Sequence, residues 1–170
     1  MSVRSLLDTN VLVYTDDARH PAKQRRALAL VAEHRRAGTG VVSLQVLQEY
    51  FAVATRKLGV DAAVARRKVE LLAELDVVVP DVADVLGAID LHRLHGLSFW
   101  DALVIRAAKQ SGCAVVLTED LQDGRELDGV RIENPFRNLP EGVHEQAAPY
   151  RTGRGSRRGA ARAGSTRRSR

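Results

Sequence analysis

Near its start the chain reads Val3-Arg4-Ser5-Leu6-Leu7-Asp8, a short, mainly apolar run that stops at an acid. Such a run is typical of a strand that is buried on both faces of a parallel sheet. In parallel α/β sheets, ligands bind beyond the carboxyl ends of the strands, so an acid just after a strand points toward a site. The stretch therefore predicts a first sheet strand, with Asp8 at its ligand-binding edge.

Four later runs have the same character, at residues 40–42, 77–79, 114–117 and 130–132. Longer segments with helical periodicity separate them. Strands that alternate with helices are typical of βαβ units and a largely parallel sheet. We therefore predict an α/β fold with one domain over residues 1–137, because 170 residues with 45% hydrophobic composition suffice for one core of ordinary size.

Cap and stop residues define five helices between these strands. They cover about residues 21–37, 44–57, 61–75, 81–95 and 98–111, and their opening residues are Pro21, Ser43, Asp61, Asp81 and Ser98. Gly38 and Gly112 are the stop signals after the first and the last of them.

Charge is distributed unevenly along the chain. The formal net charge is +5, yet eight of the 26 Lys and Arg residues lie in residues 151–170, which contain no acid. Hydrophobic periodicity is lost from about residue 138, so residues 138–170 are predicted to be a disordered basic tail. Such a tail is either an arm that contacts phosphates non-specifically or a solvated extension.

The cellular compartment is predicted from three features that the sequence lacks: an internal disulfide, a secretory signal and a membrane-spanning apolar run. The one cysteine, Cys113, lies in an apolar stretch where a buried thiol is expected. Asp8 interrupts the apolar residues after Arg4, so no secretory signal is predicted, and no apolar run is long enough to span a membrane. These features predict a protein of the reducing cytoplasm.

Four acids fall where the predicted elements bring them to one edge of the sheet: Asp8, Glu49, Asp101 and Asp120. Asp8 and Asp120 follow strands, whereas Glu49 and Asp101 lie in early turns of helices. Taken singly, Asp8 and Asp120 also fit turn residues, and Asp101 fits a capping box with Ser98. Glu49 is harder to explain structurally, because it lies off the apolar stripe of a weakly charged segment.

Acids gathered at one edge repel each other strongly unless a cation or a proton compensates them. A site made of carboxylates suits hard ions such as Mg²⁺ or Mn²⁺ better than zinc. Such an ion can activate water toward a phosphodiester and neutralise the charge that develops. The sequence has no Ser/His/Asp or Cys/His arrangement, no GxxxxGK[ST] loop and no GxGxxG turn. Metal-dependent phosphodiester hydrolysis is therefore the predicted reaction.

Four short motifs follow one another along the chain. The first two are Leu7-Asp8-Thr9-Asn10-Val11-Leu12, and Val42-Ser43 with Glu49 six residues after Ser43. The last two are Leu97-Ser98-Phe99-Trp100-Asp101-Ala102, and Leu117-Thr118-Glu119-Asp120-Leu121 with Asp123-Gly124. In order and spacing they resemble the PIN-domain family over residues 3–136, and within it the VapC-type toxins of toxin–antitoxin pairs.

The resemblance implies a three-layer α/β/α domain with a five-stranded parallel sheet and RNA cleavage that depends on Mg²⁺ or Mn²⁺. It implies that the catalytic metal ion is bound by Asp8, Glu49, Asp101 and Asp120. It further implies a homodimer and a cognate antitoxin that occupies the cleft. The basic tail has no counterpart in such toxins.

The same resemblance implies supporting residues around the four acids. Asn10 and Thr118 would support the site by hydrogen bonds, and Asp123 would contribute to a second ion. Glu119 and Asp123 are also close enough to Asp120 in sequence to share its role.

Two other functions remain open. One is a noncatalytic RNA-binding module that keeps the fold, although all four acids are present. The other is a phosphatase with Asp8 as nucleophile, which would need a second Asp where this chain has Asn10.

Three side chains near Asp101 have two interpretations each. One ring of Phe99 and Trp100 could line an RNA groove while the other packs in the core or an interface. Arg106 could reach toward substrate or form a surface ion pair.

Overall fold

The computed structural model describes residues 3–139 of the chain. Within them, a sheet is formed by β1 (Ser5–Leu7), β2 (Gly40–Ser43), β3 (Asp76–Val78), β4 (Val115–Leu117), β5 (Glu126–Leu127) and β6 (Val130–Glu133). The strand order is β3-β2-β1-β4-β6-β5. All neighbours from β3 to β6 pair in parallel, which confirms the five predicted parallel strands.

The prediction of five strands was wrong by one, because the described sheet has a sixth strand, β5. It pairs antiparallel with β6, and the turn between them is Asp128-Gly129, with positive φ angles of 53° and 80°. An Asp-Gly turn of this kind matches the twist of a two-residue hairpin. The strand itself has only two residues, which is too short for an alternating pattern to indicate it.

The described helices are α1 (Thr9–Tyr14), α2 (Pro21–Ala37), α3 (Leu44–Lys57), α4 (Ala62–Leu72), α5 (Val82–His95) and α6 (Phe99–Gln110). Five of them begin where their predicted opening residues placed them, although α4 ends three residues early. The sequence did not predict α1, which has only six residues, all of them buried, and therefore shows no alternation between an exposed and a buried face. None of the helices in residues 3–139 is long and apolar enough to cross a membrane.

Helices cover the sheet to give the predicted three-layer arrangement. Helix α6 packs on β2, β4 and β6 and carries α5 against its outer side, while α1, α2, α3 and α4 pack against one another. Strand β1 lies in the middle of the sheet, and its Leu6 and Leu7 are fully buried. The parallel strands therefore end at one common edge, where a site can form.

Two further predictions concern individual parts of the chain. Cys113 is buried, as expected, and burial raises the pKa of its thiol. The predicted basic tail lies outside the described residues from residue 140 onward and stays a prediction.

The start of α5 offers a test of the fold. Asp81 caps the helix by accepting from the Asp84 N–H at 2.9 Å, and the Asp84 side chain accepts from the Asp81 N–H at 3.1 Å. We expect Asp81→Ala to lower the free energy of unfolding by about 1 kcal/mol in urea denaturation. Asp90→Ala, on an exposed position of the same helix, should change it by less than about 0.5 kcal/mol. Equal effects of the two changes would contradict the capping role.

Candidate active site

The candidate site lies at the carboxyl ends of β1 and β4. Leu7 and Leu117, the last residues of these strands, are paired in register. The next residues therefore meet as well, and the Asp8 N–H donates to the Leu117 carbonyl at 3.1 Å. Pairing of two strands that are distant in sequence thus brings Asp8 beside Thr118.

Asp8 is 1% exposed and surrounded by hydrogen-bond donors. One carboxylate oxygen accepts from the Thr9 N–H at 2.7 Å, and the other accepts from the Thr118 hydroxyl at 2.8 Å. The Asn10 amide lies 3.5 Å from the second oxygen. These contacts fix the orientation of a buried acid at the end of β1.

Glu49 is held at both carboxylate oxygens by neighbouring side chains. The Thr9 hydroxyl donates to one oxygen at 2.8 Å, and the Gln45 amide donates to the other at 2.7 Å. Gln45 lies four residues before Glu49, which places both on one face of α3. Because Thr9 also donates its N–H to Asp8, this one residue joins two acids that are 41 positions apart in the sequence.

The Thr118 hydroxyl connects Asp8 and Asn10 with the segment that follows β4. Its hydroxyl donates to Asp8 and accepts from the Asn10 amide at 2.9 Å and from the Asp120 N–H at 3.2 Å. The hydrogen bonds expected of Asn10 and Thr118 are therefore present. Asp120 itself is partly buried and follows β4 at the same edge as Asp8.

Asp101 lies in the first turn of α6, which ends just before β4 begins. Because α6 runs back across the sheet toward the start of β4, its own start lies at the carboxyl edge of the strands. The Asp101 N–H donates to the Ser98 hydroxyl at 3.0 Å, and that hydroxyl donates to the Asp101 carboxylate at 2.6 Å. The Ser98 hydroxyl therefore both caps α6 and orients the Asp101 carboxylate.

Glu119 has structural partners of its own, although it adjoins Asp120 in sequence. It accepts from the Tyr14 hydroxyl at 2.6 Å and pairs with Lys23 at 3.0 Å. The two charged side chains are only 6% and 17% exposed, and a buried carboxylate needs such a cation. Glu119 is therefore engaged in a structural ion pair, and Asp120, which follows β4 at the same edge as Asp8, stays the candidate ligand.

Asp123 is likewise engaged by structural partners. Its carboxylate accepts from the Asn134 N–H at 2.8 Å and from the Arg137 guanidinium at 2.5 Å. The Asn134 N–H, and then Arg137, hold the pKa of the Asp123 carboxyl below its ordinary value. These contacts tie the segment after β4 to the segment after β6. The predicted contribution of Asp123 to a second ion stays a prediction.

The chemistry of these side chains fits a hard divalent cation. The candidate ligand atoms are carboxylate oxygens. Two buried amide oxygens beside them, Asn10 Oδ1 and Gln45 Oε1, have no hydrogen-bond partner in the part of the chain that the structure describes. A buried unsatisfied acceptor costs about 1–3 kcal/mol, which a bound ligand can offset. Within residues 3–139, no three His, Cys, Asp or Glu side chains are grouped closely enough to hold a metal ion. Asp8 and Glu49 are thus linked through Thr9 without a metal ion. A bound cation would have to draw Asp101 and Asp120 toward them.

Two residues of this network, Thr9 and Gln45, were not predicted from the sequence. Thr9 lies inside the first motif, between Asp8 and Asn10, but its contact with Glu49 depends on how α1 and α3 pack. Gln45 had a weaker signal, since an amide one helical turn before an acid can donate to it.

The open questions about Arg106, Phe99 and Trp100 have structural answers. Arg106 forms ion pairs with Asp84 and Asp128, at 3.5 and 3.4 Å, as the surface alternative predicted. Phe99 packs against the core, whereas Trp100 remains 47% exposed and contacts the Phe99 ring edge-on.

Thr118 allows a test of this hydrogen-bond network. Thr118→Val keeps the shape of the side chain but removes the donor to Asp8 and the acceptor for Asn10. We expect it to lower the free energy of unfolding by about 1–3 kcal/mol, because both buried partners lose a hydrogen bond. In Thr55→Val the lost hydroxyl contacts only carbonyls of its own helix, those of Phe51 and Ala52, so the expected change is within about 0.5 kcal/mol. Denaturant titration measures both, and an undiminished stability of Thr118→Val would refute the network.

Comparison with known proteins places this geometry in a family. The crystal structure of the VapC20 toxin from Mycobacterium tuberculosis, which is described as cleaving the sarcin–ricin loop, matches with a TM-score of 0.53 and 21% sequence identity. The match covers 68% of this chain and 89% of VapC20 and supports the fold. No curated protein is significantly similar in sequence. The family model of the PIN domain matches residues 5–125, and the chain therefore belongs to the PIN domain family.

Proposed function

We propose that this protein is a metal-dependent endoribonuclease and the toxin of a VapC-type toxin–antitoxin pair. The observation that carries the proposal is the hydrogen bonding of Thr9 to both Asp8 and Glu49 at the carboxyl edge of the sheet. Acids held together in this way are unfavourable in an isolated protein and favourable beside a cation. Membership of the PIN domain family and the VapC20-like fold support the same function.

The proposed ligands of the ion are Asp8, Glu49, Asp101 and Asp120. The ion is Mg²⁺ or Mn²⁺, because both accept oxygen ligands and retain water. When bound, it would supply Lewis acidity that activates water and stabilises charge on the phosphodiester. The chain's own groups orient the acids, since Thr9 and Gln45 direct Glu49, Thr118 directs Asp8, and Ser98 directs Asp101.

A cleavage assay tests this function. We expect purified protein to cut structured RNA only with Mg²⁺ or Mn²⁺, and a chelator should stop the reaction reversibly. Because VapC20 is described as cleaving the sarcin–ricin loop, an RNA oligonucleotide with that loop is a suitable first substrate. Asp101→Asn and Asp120→Asn should each lower kcat/KM by about 100-fold or more, since each removes a charged ligand of the ion.

Asp90→Asn is the matched control for Asp120→Asn, because it makes the same change at an exposed acid of α5. It should retain at least about a tenth of the wild-type kcat/KM, a loss no larger than 1.4 kcal/mol. Asp101→Asn that cuts as fast as wild type would refute the ligand assignment.

The same assay separates the main alternative function, a noncatalytic RNA-binding module. The lack of three closely grouped acids within residues 3–139 is the observation that favours this alternative. It predicts RNA binding in the presence of Mg²⁺ or Mn²⁺ with no cleavage products, and no calorimetric signal for either ion.

The proposed toxin acts in the cytoplasm as a homodimer, and its proposed partner is an antitoxin that occupies the cleft. We expect a small protein encoded immediately upstream to co-purify with the chain when both are expressed, and to abolish RNA cleavage at equimolar amounts. Light scattering of the complex reports whether two toxin chains are present. An upstream protein that binds without inhibiting would contradict an antitoxin over the cleft.

A further inference from the structure

Gln45 has an unusual environment for a buried amide. Its side chain lies at the start of α3 and is 8% exposed. The amide nitrogen donates to a Glu49 oxygen at 2.7 Å, whereas the amide oxygen is buried and has no hydrogen-bond partner within residues 3–139. One half of the amide is therefore satisfied by Glu49, and the other half remains unsatisfied.

The orientation of this amide follows from the carboxylate beside it. Turning the amide over would bring its oxygen against the Glu49 oxygen, and two acceptors cannot form a hydrogen bond. Thr9 meanwhile holds the second Glu49 oxygen at 2.8 Å. With both donors in place, the carboxylate is restrained at both oxygens. Loss of Gln45 would remove the amide donor from the first Glu49 oxygen and so weaken the restraint on the carboxylate.

An amide is a poor choice at this position if only stability matters. A Met side chain has nearly the same length and fills irregular space in a core without an unsatisfied oxygen. Replacement by Met would remove the unsatisfied oxygen, and because Glu49 is only partly buried, water can take the place of the lost amide donor. Gln45 is therefore explained better by what it does to Glu49 than by packing.

We propose that Gln45 is a positioning residue that orients the Glu49 carboxylate toward the metal ion. This inference rests on the proposed function, because it assumes that Glu49 is a ligand. Groups that hydrogen-bond to a ligating carboxylate orient it, and their loss commonly weakens metal binding by about 10–100-fold. Gln45 and Thr9 would then act on opposite oxygens of the same ligand.

The test compares Gln45→Met with Gln48→Met, the same change at an exposed residue of the same helix. Isothermal titration calorimetry with Mn²⁺ alone should show a loss of affinity of about 10–100-fold in Gln45→Met and wild-type affinity in Gln48→Met. The melting temperature of Gln45→Met without metal should be equal to or above that of wild type. In RNA cleavage, kcat should fall while KM for RNA is unchanged.

Each other outcome overturns the inference. Wild-type Mn²⁺ affinity in Gln45→Met shows that Glu49 needs no help from Gln45. A melting temperature that falls together with the affinity shows a structural role. If wild-type protein neither binds Mn²⁺ nor cleaves RNA, the proposed function fails first and the positioning role fails with it. If wild type binds Mn²⁺ and cleaves RNA, and Gln45→Met does both equally well, the proposed function stands and this inference alone is wrong.

Discussion

The parallel pairing of β1 with β4 is the contact on which the rest of the structure depends. It joins residues 110 positions apart, and the Thr118 hydroxyl reaches Asp8 only because Leu7 and Leu117 are in register. A shift of one residue would turn every side chain of a strand to the opposite face. Both faces of these strands are buried, so a shifted strand would have to pack differently on each side. Packing thus holds the register, and the register in turn fixes the site.

The arrangement of the acids differs from one to the next. Asp8 and Glu49 are tied to a common residue, Thr9, and are thus organised by the fold itself. Asp101 is oriented by the cap of its own helix. Pre-organised ligands lower the ordering cost of binding, whereas ligands on separate elements must be brought together by the ion. The site therefore combines a pair of acids linked through Thr9 with two acids that other elements carry.

Much of this architecture was predictable because local signals agreed with the overall fold. Pro21 and Gly38 set the ends of α2, and the apolar runs set the parallel strands. The missing elements were those without such a signal, namely α1, which is buried on all sides, and the two-residue β5. For the site, the acids followed from strand and helix positions, but the contact of Gln45 with Glu49 depends on side-chain direction in the folded chain.

The ion pair of Lys23 with Glu119 has a consequence for how the protein responds to ionic strength. Salt screens exposed charges over distances of about 8–10 Å, but it screens nearly buried pairs much less. The segment that carries Asp120 should therefore keep its geometry in concentrated salt. Contacts between exposed basic side chains and RNA phosphates weaken steeply under the same conditions. High salt would thus release a bound nucleic acid while leaving the acidic edge of the sheet intact.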